Sequence, residues 1–231
     1  MTSKKIRKKT SGIHWLLIFG IAISSFMMKV QAHEGAVHTN NAHTTFQHPP
    51  VDGLIRDLQQ RFPAYSPHQV ILVDATAQRL MLIEHGNVVA SWLISTAEKG
   101  LGSLKGSNQT PLGVHRVSKR YGDGAPLGTI FKARRNTGRI ADILTAHGAR
   151  SQADNVTTRI LWLDGLEPGL NKGGNIDSFE RYIYIHGTDE EGRLGTPASH
   201  GCIRMRNQDV IDLYQRTGID TLVVIAQQKQ G

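Results

Sequence analysis

From Gln69 onward the apolar residues fall in short runs, and few of them recur at helical spacing. Val70-Ile71-Leu72-Val73 is continuous and reads as a buried strand. Arg79 to Glu84 and Val88 to Ile94 alternate on either side of Gly86-Asn87, a dipeptide suited to a two-residue hairpin turn. Thr110-Pro111-Leu112-Gly113 marks another turn, and Val114 to Val117 predicts the strand after it. Arg159 to Leu163, Arg181 to Ile185 and Thr221 to Ala226 complete the set of strands. Two segments have helical spacing. Gly53 to Phe62 puts Leu54, Ile55 and Leu58 on one face. Asn207 is placed to cap a second helix, whose apolar face is Val210, Ile211, Leu213 and Tyr214 and whose end precedes Gly218. Residues 122–158 are rich in Gly, Arg and Asn, with a short helix expected near Ile140–Leu144. The pattern predicts a mainly β domain with one or two peripheral helices. It excludes a βαβ array and a helical bundle.

Composition changes this picture mainly at the N-terminus. The 231 residues, 39% hydrophobic and 20% charged, suit one main domain. The formal charge of +8 suggests a nucleic-acid partner at first sight. However, Lys4, Lys5, Arg7, Lys8, Lys9 and Lys29 account for most of it, and residues 1–32 contain no acid. The remainder is close to neutral and has no basic stripe to follow a phosphate backbone, so no nucleic-acid partner is expected. Residues 1–32 instead read as an export signal: a basic start, an apolar run from Ile13 to Met28, and Val30-Gln31-Ala32 as a cleavage site after Ala32. The alternative is an uncleaved anchor, and the run is short for a span. Either way the folded part is exported to the periplasm or cell envelope, with the membrane touched only through the signal segment. Residues 33–68 then form a His-rich linker and short helix. His33, His38, His43 and His48 recur every five residues, a spacing that fits a solvated tether better than a metal-binding face.

An exported protein usually spends cysteines on disulfides, yet this chain has one, Cys202. Its neighbours are Ser199, His200, Gly201 and Arg204, unusual company for a core thiol. His186 ends the Arg181–Ile185 strand, in phase with Tyr182 and Tyr184 and opposite Ile183 and Ile185. The isoleucines are expected to face the core. The tyrosines and His186 are expected to line a surface where substrate lies. The excursion between His186 and Cys202 could bring the imidazole to the thiol as its base, with a backbone carbonyl at Gly187 fixing the tautomer. The amides of Gly201 and Cys202, with His200, could form an oxyanion hole. Arg204 could hold a substrate carboxylate through its planar fork. Zinc held by His186, His200 and Cys202 is the chemical rival, although that spacing matches no familiar zinc motif.

His186 followed by Ser199-His200-Gly201-Cys202-Ile203-Arg204 closely resembles the signature of the L,D-transpeptidase (YkuD) family: a His, a gap of about fifteen residues, then Ser/Thr-His-Gly-Cys, a hydrophobic residue and Asn or Arg. The resemblance runs from about Gln69 to Ala226 and marks residues 69–227 as the catalytic domain. It implies a β-sandwich or barrel-like fold and cysteine acyl transfer on peptidoglycan stem peptides. Cys202 would be the nucleophile and His186 the base. Ser199, His200 and Gly201 would shape the acyl site, and Arg204, Tyr184 and Gly187 would contact substrate. The donor would be a tetrapeptide stem cleaved before its terminal D-alanine. A neighbouring amine would resolve the thioester as a 3→3 cross-link, or an envelope lipoprotein could supply the amine. Carbapenems acylate this cysteine in many relatives, and no metal or organic cofactor is expected. Hydrolysis of the same acyl-enzyme would instead make an L,D-carboxypeptidase or amidase. A decayed site would make a non-catalytic wall-binding protein. Residues 122–158 exceed what a minimal domain needs and are expected to form a lid.

Overall fold

The computed structural model describes residues 51–227. The expected signal peptide and the linker up to residue 50 lie outside the described residues. Ten strands follow a first helix: α1 (Val51–Arg61), β1 (Gln69–Asp74), β2 (Arg79–Glu84), β3 (Asn87–Ser95), β4 (Gly113–Tyr121), β5 (Thr129–Lys132), β6 (Arg135–Ile140), β7 (Val156–Gly165), β8 (Tyr184–Thr188) and β9 (Ile203–Met205), then α2 (Asn207–Arg216) and β10 (Leu222–Ala226). They form one sheet in the order β4-β10-β1-β2-β3-β9-β8-β7-β5-β6, and β4 also pairs with β7. That extra pairing closes eight strands into a barrel and leaves β5–β6 as a hairpin attached to β7. The mainly β expectation, barrel-like with two helices, holds.

The alternation of side chains explains why the strands are so apolar. Ile71, Val73, Leu80, Leu82, Leu161, Leu163, Ile183, Ile185, Ile203, Met205, Val223 and Ile225 share the main core with Val210, Leu213 and Tyr214 of α2. On the opposite faces, Val70, Leu72, Met81, Ile83, Leu222 and Val224 pack under Leu58 of α1. Strands β1 and β10 run in parallel, in the register Ile71↔Val223. They are therefore covered on both faces, which accounts for their unbroken hydrophobic runs.

Four local expectations are corrected. Glu84 pairs with Asn87, so the hairpin turn is His85-Gly86, one residue earlier than the expected Gly86-Asn87. Both central residues have positive φ, at 49° and 79°, as a primed turn requires. Arg181–Ile183 is a turn and not strand. The amides of Arg181 and Tyr182 bond back to Asp177 O and Phe179 O, Tyr182 takes φ 58°, and β8 begins only at Tyr184. Residues 140–144 form no helix: Ile140 ends β6, and the Ala141 and Leu144 amides beyond it donate to Gly128 O and Asp189 O, while β5 and β6 form a hairpin through a turn at Ala133 and Arg134 and β5 joins β7 at Ile130↔Thr157.

The fourth concerns Asn207, which does not cap α2. It is the first helical residue and is fully buried, where its side chain knots three elements together. Its Oδ1 accepts from the Thr157 and Thr158 hydroxyls. Its Nδ2 donates to Thr188 O and to Glu191 Oε1, both at 2.7 Å. Glu191 also accepts the Asn207 backbone amide at 2.8 Å, so the cap comes from a carboxylate sixteen positions upstream. An amide with both ends satisfied in this way is stable inside a core, where an unpaired one would be costly.

Candidate active site

Strands β8 and β9 are parallel neighbours in the register Ile185↔Ile203, His186↔Arg204 and Gly187↔Met205. Continuing that register sets Cys202 beside Tyr184. His186, Tyr184, Arg204 and Cys202 therefore share the outer face of the barrel wall, while Ile183, Ile185, Ile203 and Met205 turn inward to the core. As expected, Tyr184 and His186 lie on the face away from the isoleucines. Tyr182, in the turn before the strand, is half exposed. The outer face carries a second apolar cluster of Phe131, Ile160, Trp162 and Tyr184, against which Phe179 and Cys202 pack. Trp162 is its hub. Phe179 stacks on the indole at 4.1 Å and Tyr184 meets it edge-on at 5.5 Å. From the tip of the β5–β6 hairpin, the Arg134 guanidinium lies over Trp162 and Tyr182 and bonds Tyr184 Oη at 3.3 Å. The expected lid segment therefore reaches the aromatic wall beside the cysteine.

Cys202 is half-buried in the turn between Ser199 and β9. Its thiol donates to Tyr182 O and accepts from the Tyr184 amide, both at 3.4 Å. Burial pushes the thiol up to about 11. The Tyr184 amide and the guanidinium groups of Arg204 and Arg181 oppose that rise, and Asp154 adds to it. The turn itself is tightly specified. Gly201 has φ 128°, a conformation that disfavours any side chain, although a Cβ there would meet Gln109 O and Ile183 Cδ1 only at ordinary contact distance. Ser199 Oγ donates to Cys202 O at 2.5 Å and accepts from Gly201 N at 3.2 Å. Thr110 Oγ1 donates to Gly201 O at 3.0 Å, tying the Thr110-Pro111 turn to the Cys202 loop. The expectation that the Gly201 amide serves an oxyanion hole is therefore corrected. That N–H is already committed to Ser199, whose role is to close the turn.

His186 is buried within β8, not in a loop beyond it. Its Nδ1 donates to Gly187 O at 2.7 Å, the carbonyl anticipated from sequence. With that proton fixed on Nδ1, Nε2 carries the lone pair. Burial lowers the imidazole to about 4. The Gly187 hydrogen bond pulls it upward and the Arg204 charge pulls it down. Gly187 does not contact substrate from a loop. It is buried in the strand, and a Cβ there would press on Asn207 Oδ1 at 2.6 Å and Thr157 O at 2.9 Å. Its missing side chain lets the Asn207 knot sit under the histidine. The expected direct bond between imidazole and thiol is not formed, because the sulfur is held by Tyr182 and Tyr184. The two residues occupy diagonal positions on one face of the parallel β8–β9 pair.

Arg204 is also corrected. Its side chain is 2% exposed and saturated by two carboxylates, Asp154 at 2.5 Å and Glu190 at 2.8 Å. A guanidinium so enclosed cannot reach out to a substrate. Asp154 in turn accepts from Nδ1 of the exposed His200 at 2.7 Å, so one carboxylate joins the motif histidine to the motif arginine. Arg204 holds the carboxylate well below its usual range against the opposing effect of burial. Glu190 is shared with Arg193 at 2.9 Å. Replacing Arg204 by methionine is expected to destabilise the fold by about 3 kcal/mol, because Glu190 keeps Arg193 and Asp154 keeps His200 but both lose the buried cation between them. Chemical denaturation measures this. A substrate-contact role would instead raise KM with little change in stability.

Sequence reasoning passed over Arg181 and Glu190, which flank His186, and Asp154, Trp162 and Thr110, which come from segments with no local motif. Among the described residues, no three His, Cys, Asp or Glu side chains are grouped to hold a metal ion, so His186, His200 and Cys202 do not form the zinc site considered above.

Comparison with known proteins agrees with this arrangement. The L,D-transpeptidase catalytic domain (YkuD) matches residues 68–225. The putative L,D-transpeptidase YqjB of Bacillus subtilis is 34% identical over 93 residues, covering 36% of this chain and 53% of that protein. Similar solved structures include an L,D-transpeptidase of Xylanimonas cellulosilytica, with 20% identity, 68% of this chain and 60% of that chain covered, and a TM-score of 0.39. An Enterococcus faecium L,D-transpeptidase gives 16% identity, 69% and 50% coverage, and a TM-score of 0.41. The chain thus spans between half and two thirds of the length of these relatives. With the family signature spread over well over half of its length, this chain belongs to the L,D-transpeptidase catalytic-domain (YkuD) family.

Proposed function

We propose that the protein is a cell-envelope L,D-transpeptidase in which Cys202 is the nucleophile and His186 the general base. The observation that carries this reading is the common sheet face of the chain's single thiol and a neutral imidazole whose Nδ1–H is committed to Gly187 O. Rotation of Cys202 away from Tyr182 O brings its S–H towards Nε2. The sulfur attacks the carbonyl carbon of the third stem residue while its proton passes to Nε2. The C–N bond to the terminal D-alanine then breaks and His186 returns the proton to the departing amine, leaving a thioester. An amine of a second stem attacks that carbonyl and gives its proton to His186. The C–S bond breaks, and the thiol is regenerated with a 3→3 cross-link formed. With the Gly201 amide engaged, the His200 and Cys202 amides are the donors offered to the oxyanion. The β5–β6 hairpin, held by Arg134 against the aromatic wall, shields the acyl group from water so that an amine can compete.

Export to the periplasm through residues 1–32 belongs to the same reading, as does action on stem peptides, with a lipoprotein amine as a further acceptor. Incubation with purified tetrapeptide muropeptides, followed by mass spectrometry, tests it. Cross-linked dimers are expected. Tripeptides alone would identify a carboxypeptidase, and unchanged muropeptides with no carbapenem adduct would identify a wall-binding protein.

A further inference from the structure

Beside the thiol lies a groove of about 210 Å³ whose walls include Lys105, Asn108, Arg181, Tyr182 and His200, with Glu180 as its one acid. It adjoins Cys202 through two of its walls: Tyr182 supplies the carbonyl that holds Cys202 Sγ, and His200 lies two residues before the sulfur. Arg181 is the unusual member. Its guanidinium is half-buried and anchored to two backbone carbonyls, Gln109 O at 2.6 Å and Gly102 O at 3.3 Å. Among the described residues no carboxylate forms a salt bridge with it, whereas Arg204 has two acidic partners. Lys105, exposed on the same groove, adds a second positive charge.

We infer that this groove is a carboxylate subsite in which Arg181, assisted by Lys105, binds the free C-terminal carboxylate of the residue that leaves during acylation. The proposal rests on Cys202 being the nucleophile. In a tetrapeptide stem that carboxylate is only a few bonds from the attacked carbonyl, so it is the substrate charge that must lie nearest the sulfur. Burial depresses Arg181, and the charge state of Cys202 is felt at its guanidinium, so the two groups are electrostatic neighbours. A planar fork already anchored on one side, with no carboxylate of its own, gains a charge-assisted partner when a substrate carboxylate enters. The subsite would restrict the enzyme to stems that end at the leaving residue, because a blocked or extended terminus carries no charge at that point.

The test compares a stem tetrapeptide with the same peptide amidated at its C-terminus, using wild type, R181Q, R181K and K105A. Steady-state kinetics and the intact mass of the thioester are read together. Amidation is expected to raise KM about tenfold or more in wild type. R181Q and K105A should raise KM for the acid while leaving KM for the amide unmoved, and R181K should restore part of the difference. Lys105 is exposed, so K105A remains informative if R181Q disturbs the Gln109 loop. Equal KM values for acid and amide in wild type, with the thioester formed from both, would overturn the subsite alone. Absence of thioester from both peptides would overturn the nucleophile reading, and the subsite with it.

Discussion

Cys202→Ala is expected to lower acyl transfer from a tetrapeptide donor by at least about 10³-fold and to remove every covalent adduct with a carbapenem. The chain offers no second thiol to carry an acyl group. The side chain is half-buried and its bonds to Tyr182 and Tyr184 are long, so the stability change should stay within about 1 kcal/mol. Loss of turnover in a folded variant, with no mass increase, is the signature of a missing nucleophile. A variant that still gains the acyl mass would show that another group carries it.

His186→Gln is expected to slow acylation by about 10²–10⁴-fold, with a change in pH dependence that a packing defect would not produce. The signs follow from the two groups' surroundings. Burial keeps the imidazole neutral above about pH 4, so the base is available at all ordinary pH values. Burial also holds the thiol up to about 11, so free thiolate is scarce near neutrality. Wild type should then acylate at a rate almost independent of pH between about pH 6 and 8, because proton removal accompanies attack. In the glutamine variant only preformed thiolate reacts, and the rate should climb about tenfold per pH unit up to the thiol's own titration. Glutamine can still donate to Gly187 O, which limits collateral damage to β8. Single-turnover acylation across pH measures both slopes. Identical slopes would remove His186 from the role of base.

Much of the barrel was legible in the chain. Continuous apolar runs became the doubly covered strands β1 and β10, and the Arg79–Glu84 run became β2 without adjustment. The misreadings occurred where side chains satisfy backbone groups out of sequence. Asn207 has the residue type and position of a cap. It is buried instead, because Thr157, Thr158, Thr188 and Glu191 converge on it from other elements. The segment from Arg181 to Ile183 has a strand-like composition, yet Asp177 and Phe179 bend it into a turn. That turn delivers the Tyr182 carbonyl to the sulfur. Residues 140–144 have helical character in isolation, but the preceding segment gains more by pairing as a hairpin and adding to β7.

The sequence by itself put forward the proposed pair, because a lone cysteine in a Ser-His-Gly-Cys segment and a histidine after an aromatic run are properties of local order. Alternation also set His186 on the face opposite Ile183 and Ile185, but only the parallel register of β8 and β9 brought Cys202 to that same face. The tertiary structure alone decided the electrostatics. Arg204 has the chemistry to bind a substrate, but Asp154 and Glu190, distant along the chain, enclose it. Arg181, an ordinary surface residue in sequence, keeps its charge open beside the thiol. Charges act through space, and the carboxylate of Asp154, fifty residues before Arg204, reaches it only because the fold sets β7 beside β8 and β8 beside β9.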